Sequence, residues 1–206
     1  MNSKITTLTE LQTDALIEIF NIGVGHAANS LSQIVGEGVS LSIPRLEILD
    51  SSQIDVLNSQ INSKKICAVS QDFTGLIDTR TFLVFPEGKS MDVVRRMLGE
   101  NIGLGDLGEM EQEALSEIGN IILNSCISAM SDSLQSSFQC SLPVFHRGSV
   151  DNVLDSENNV VLIMLHINFA IPSDHIDGNL VFLLSASSFN GLVEKIDHFI
   201  QAISSN

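Results

Sequence analysis

With 206 residues, 44% of them apolar, and a mean hydropathy of +0.26, the chain can bury one sizeable core, or two small halves sharing one. Its 25 acids against 10 bases leave a net charge of −15, which excludes nucleic acid and anionic membrane surfaces as partners, because both are held by clustered Lys and Arg. The longest apolar stretch, Val160–Ile171, is too short and too interrupted by His166 and Asn168 to span a bilayer. Met1–Thr9 lacks the apolar core of a signal peptide, so a cytoplasmic protein without membrane insertion is expected.

Residues 1–8 read as an amino-terminal tail. Thr9 with Gln12 three residues on has the pattern of a capping box. Leu11, Ala15, Ile19, Ile22, Ala27, Leu31 and Ile34 then recur at three- and four-residue steps, predicting a long helix that Gly36 and Gly38 stop. V-S-L-S-I-P (Val39–Pro44) alternates as a strand, expected to end at Pro44 on an edge or turn. After the polar, turn-rich stretch Asp50–Lys65, K-I-C-A-V-S and T-F-L-V-F read as two strands. A short helix follows, with Gly99 past its end. Asn101–Glu109, with three glycines, reads as a flexible linker. A second long helix is expected over about Met110–Leu134, and C-S-L-P leads into a strand. His146–Asn159 reads as open. N-V-V-L-I-M-L-H-I-N-F and G-N-L-V-F-L-L read as long apolar strands, and a closing helix ends near Ile203.

The second half repeats the first. Glu18, Asn21 and Pro44 recur as Glu117, Asn120 and Pro143, each 99 residues on, and Ile77-Asp78 recurs as Ile176-Asp177 at the same offset. Thr81–Leu98 lies over Asn179–Ile196 at an offset of 98. The expected organisation is a single domain, 1–206, made of two repeats at 9–101 and 108–203. Short connections between neighbouring strands predict an α+β fold: a pseudo-two-fold duplication with an antiparallel sheet and long helices on one side.

Residues three and four apart share a helix face. Asp14, Glu18, Asn21, Gly25 and Asn29 therefore form one polar line, and Glu113, Glu117, Asn120, Asn124 and Ser128 form its counterpart. The flanks are apolar, and neither line contains Lys or Arg. Asn is a poor mid-helix residue, so keeping it in one register in two drifted halves indicates that the amide itself is used. An amide can hold water with one donor and one acceptor, as phosphoryl transfer requires. The Glu one turn earlier could act as a base, or could pair with a Lys of another molecule. With no Trp or Tyr, a sugar cleft between opposed carboxylates is disfavoured. Gly23 and Gly25 each weaken the helix, which suggests close backbone approach, or room over the Asn21 amide. The three cysteines and five histidines show no metal-ligand spacing, and the cysteines read as small buried hydrophobes.

The pattern Asp/Ser-x3-Glu-x2-Asn-x22-Pro resembles that of the CheC/CheX/FliY chemotaxis phosphatases. It is met by Asp14, Glu18, Asn21 and Pro44, and again by Glu117, Asn120 and Pro143, with Glu113 where Asp or Ser is expected. Two copies in one chain look most like CheC. The resemblance implies hydrolysis of the aspartyl phosphate of a CheY-like response regulator. Asn21 and Asn120 would orient water, and Glu18 and Glu117 would bind the regulator's active-site Lys. It implies no cofactor of the chain's own, with Mg²⁺ on the phosphorylated regulator, and a CheD-like deamidase as a second partner. The alternative is a non-catalytic adaptor for a response regulator, a deamidase or a flagellar switch component. FliY-like switch proteins carry a further carboxy-terminal domain, and the end at Asn206 weighs against that version.

Overall fold

The computed structural model describes residues 7–36, 38–50, 53, 59, 61, 63, 65–98, 107–154, 160–171 and 174–204. In chain order the elements are α1 (Glu10–Val35), β1 (Ser40–Asp50), β2 (Ile66–Gly75), β3 (Thr79–Pro86), α2 (Glu87–Leu98), α3 (Leu107–Ser133), β4 (Phe138–Cys140), β5 (Val144–Gly148), α4 (Val150–Val153), β6 (Val160–Ile171), β7 (Asp174–Ser185) and α5 (Ala186–Ser204).

Local chemistry sets the ends of α1. The Thr9 hydroxyl accepts from the Gln12 N–H, and the Gln12 side chain accepts from the Thr9 N–H at 2.8 Å, a complete capping box. Gly36, in the left-handed conformation, stops the helix and donates its N–H to Ser32.

The strands form one antiparallel sheet in the order β1-β6-β7-β3-β2-β4, with β5 also on β2. The order is mirrored about the central β7–β3 pair. The β6–β7 hairpin is flanked by β1, which follows α1, and the β2–β3 hairpin by β4 and β5, which follow α3. Helices α1, α3, α2 and α5 cover one face, burying Phe20, Ile118, Val93 and Leu192 against Val69, Phe85, Ile163 and Phe182. Phe20 and Phe182 meet at 5.0 Å between ring centroids, fixing α1 over β7. The opposite face is not left bare. Ile61, Val150 of α4 and Leu154 cover Ala68, Val84 and Met164.

Four expectations change. Pro44 does not end its strand: β1 runs on to Asp50, with one extra residue between Ser42 and Arg45. A proline has no N–H for the ladder, and an edge strand accommodates that loss at a bulge. The helix α3 begins at Leu107 and takes in the last part of the expected linker, whose residues 101–106 lie outside the described residues. His146–Gly148 and Val150–Val153 are ordered as β5 and α4 rather than open; 155–159 lie outside the described residues, as does most of the stretch after Asp50. Of the cysteines, Cys67 and Cys126 are buried but Cys140 is exposed, on the three-residue edge strand β4.

Candidate active face on the paired long helices

Helices α1 and α3 lie against each other, and Gly23 marks their contact. A Cβ there would stand 2.7 Å from Cys126 Cα and 2.9 Å from the Ser125 carbonyl oxygen, so the backbones meet with no room for a side chain. Gly119 performs a related task over the sheet, where a Cβ would press on Val69 at 2.6 Å. Gly25 differs: a Cβ there meets nothing within 4 Å, so the space beside the Asn21 turn is open.

The two polar lines are where the helices meet solvent. Asp14, Glu18 and Asn29 are exposed, with Asn21 and Gly25 half-buried; Glu113, Glu117 and Ser128 are exposed, with Asn120 and Asn124 half-buried. The residue before each Asn packs inward: Phe20 is buried, and so is Gly119. Ile22 departs from the expected apolar flank, standing 42% exposed next to Asn21. Neither helix, over 26 and 27 residues, contains a Lys or Arg. Glu18 and Glu117 have no hydrogen-bond or ion-pair partner among the described residues. These are uncompensated acids on an open face.

Each Asn, by contrast, is held. Asn21 Oδ1 accepts the Ile43 N–H at 2.9 Å, one residue before Pro44. The bulge turns that N–H away from β6 and toward the helix, which gives the recurring proline a physical task. In the second copy Pro143 also sits in a one-residue excess, since Ser70 to Phe73 on β2 spans Val144 back to Cys140. There the Asn is held differently. Asn120 Oδ1 accepts from Asn124 Nδ2 at 2.7 Å and from Gln71 Nε2 at 3.2 Å, and Gln71 Nε2 also donates to the Ser141 carbonyl at 3.1 Å. Gln71 belongs to neither polar line of the sequence. Its signal was a lone long amide inside the apolar strand I-C-A-V-S-Q, where burial demands partners.

The helix starts are anchored at matching places. Gln12, buried, donates to Asp197 Oδ1 of α5 at 2.7 Å. Glu111, 99 positions later and 4% exposed, accepts from Ser90 Oγ at 2.8 Å and pairs with Arg147. Helix α5 therefore braces the start of α1, and α2 braces the start of α3.

No protein-family model matches the chain. Among curated proteins it is 26% identical to the CheY-P phosphatase CheC of Bacillus subtilis over 129 residues, 61% of each chain. It is 23% identical to the flagellar motor switch phosphatase FliY of the same organism over 202 residues, 94% of this chain and 51% of that one. The chain thus spans between half and two thirds of the length of these two relatives. Thermotoga maritima FliY has the same fold, with a TM-score of 0.74 at 20% identity over 96% of this chain and 99% of that one. In sequence the chain is similar to CheC and FliY, and it shares its fold with FliY. A chain of a CheX–CheY–BeF3–Mg²⁺ complex from Borrelia burgdorferi shares the fold at a TM-score of 0.52 and 15% identity, over 82% of this chain and 98% of that one. The mixed α+β architecture and its antiparallel sheet stand as expected. No described helix is long and apolar enough to cross a membrane.

Proposed function

We propose that the chain hydrolyses the aspartyl phosphate of a CheY-like response regulator in the cytosol, using Glu18/Asn21 and Glu117/Asn120. The observation that carries this reading is the pairing itself. Twice, an unpaired exposed carboxylate stands one turn from an amide whose oxygen is anchored from behind, on helices without a single cation. An exposed Glu contributes little alone, but gains Coulomb energy once a docked Lys excludes water beside it. Glu18 and Glu117 would take the regulator's active-site Lys, loosening its hold on the phosphoryl group. The Asn amide would set the angle of a water for in-line attack. The water oxygen bonds to phosphorus, the bond from phosphorus to the aspartyl oxygen breaks, and the water's protons leave with the phosphate. The catalytic Mg²⁺ would be the regulator's, in keeping with the Mg²⁺ of the Borrelia CheX–CheY complex.

The supporting positions fit this scheme. Pro44 and Pro143 shape the bulges behind the amides, while Asp14 and Glu113 extend the acidic line by one turn. Ile22 and the 84%-exposed Leu142 give each site an apolar rim for the regulator to cover. We further propose that the two sites descend from one duplication, with halves 9–101 and 108–203. No described residue singles out a CheD-like deamidase partner.

Steady-state phosphate release from phosphorylated response regulators of the same cell tests the proposal. The wild-type chain should accelerate release from at least one regulator. Glu18→Lys with Glu117→Lys should raise KM by repelling the Lys that the acids would otherwise bind. Tight binding of a phospho-regulator without turnover would sink the phosphatase reading in favour of an adaptor.

A further inference from the structure

The two Glu/Asn sites differ in how many hydrogen bonds each amide oxygen already accepts. A side-chain carbonyl oxygen has two lone pairs. Asn21 Oδ1 accepts one hydrogen bond, from the Ile43 N–H, and no other described group bonds its side chain. Opposite the β1 bulge the neighbouring strand carries Ile167, which has no polar side-chain atom to offer. Gly25, one turn on, adds nothing. One lone pair and both N–H donors of Asn21 therefore remain. In the second site the strand opposite the bulge carries Gln71 instead, 2% exposed, and the Gly25 register holds Asn124. Their donors both fall on Asn120 Oδ1, at 3.2 and 2.7 Å, and Asn124 Nδ2 is further fixed on the Asn120 backbone carbonyl at 2.7 Å. Both lone pairs are taken, leaving the Asn120 side chain its N–H groups alone.

We infer that Gln71 and Asn124 are positioning residues that make the second site a donor-only site. Asn120 can hold a phosphoryl oxygen, but it cannot accept the hydrogen of the attacking water. Asn21 can do both. Turnover then comes chiefly from Glu18/Asn21, while Glu117/Asn120 holds phospho-regulator and releases phosphate slowly. This rests on the phosphatase reading above.

The test is the loss of phosphate from a labelled regulator, with kcat and KM resolved. Asn21→Ala, which leaves the second site, should lower kcat about tenfold or more, the equivalent of one well-placed hydrogen bond to the transition state. Asn120→Ala should cost about two- to threefold. The discriminating variant is Asn124→Ala in the Asn21→Ala background. Freeing one Asn120 lone pair should raise kcat several-fold with KM little changed, a gain that structural damage does not produce. Asn124→Gly, which copies the first site, should do the same. Equal losses for Asn21→Ala and Asn120→Ala, or a fall in kcat on adding Asn124→Ala, would overturn the inference while leaving the phosphatase reading intact. Absence of any phosphate release by the wild-type chain would instead remove the reading on which it rests.

Discussion

Replacing Gly23 by Ala sets two effects of known sign against each other. Inside a helix, Ala is favoured over Gly by about 1 kcal/mol, so a solvent-facing helix would gain. At Gly23 the added Cβ falls 2.7 Å from Cys126 Cα and 2.9 Å from the Ser125 oxygen. Those atoms are backbone and have no rotamer to retreat into. Ordinary contact therefore requires α1 and α3 to part by roughly 1 Å, which also loosens the apolar contacts along their length. Overpacking of this kind costs about 1–3 kcal/mol, and a backbone obstacle places it at the upper end. The net expectation is a loss of about 2 kcal/mol, or roughly 4–8 °C in Tm for a chain of this size. Gly25→Ala is the internal control. With nothing within 4 Å of its Cβ, the same change two residues away should stabilise by about 1 kcal/mol. Urea titrations with unchanged m-values measure both. A Gly23→Ala variant as stable as wild type would refute the close helix contact, and with it the relative placement of the two polar lines.

Further outcomes follow from buried polar and titratable groups. Arg147→Ala leaves Glu111 with the Ser90 and Cys67 contacts but without its cation, and should cost about 2 kcal/mol in urea unfolding; pairing it with Glu111→Leu should recover part of that loss. Burial pushes the Cys126 thiol up to about 12. Between pH 9, where the unfolded chain's thiol ionises, and about 12, the folded chain binds the extra proton, so stability should fall by roughly 1.4 kcal/mol per pH unit, and Cys126→Ala should flatten that slope. A thiol reagent should label Cys140 in the native protein, but Cys126 only on unfolding. The His146 imidazole is held below its ordinary range, first by burial and then by the Arg80 charge. The unfolded chain therefore takes up that proton first as pH falls below about 6.5, and stability declines there; His146→Gln should remove this part of the acid-side decline.

What could be read from the sequence was what is encoded locally. The Thr9–Gln12 capping box, the Gly36 stop and the three-four spacing of α1 act within a few residues of one another, and each stands in the fold. The polar lines are likewise local, and their accessible edge follows from helical geometry. Long-range pairing was not legible. Nothing in V-S-L-S-I-P announces that its partner is β6, more than a hundred residues on, or that the strand passes through Pro44 as a bulge. The exposure of Cys140 departs from expectation because a cysteine's burial depends on whether its strand is central, and β4 is a three-residue edge. The Gln71–Asn120–Asn124 network joins a strand to a helix 49 or more positions later, so only packing could assemble it.

The central claim is that the anchored amides carry out the hydrolysis. Its most direct test is the half-life of label on a phosphorylated regulator in single turnover, with wild-type chain against the Asn21→Ala, Asn120→Ala double variant. Circular dichroism and urea midpoints should show that both are folded. Acceleration by the wild type, reduced to the regulator's own rate of loss in a double variant that still binds it, is the expected result. A double variant that remains as fast as wild type would contradict the account.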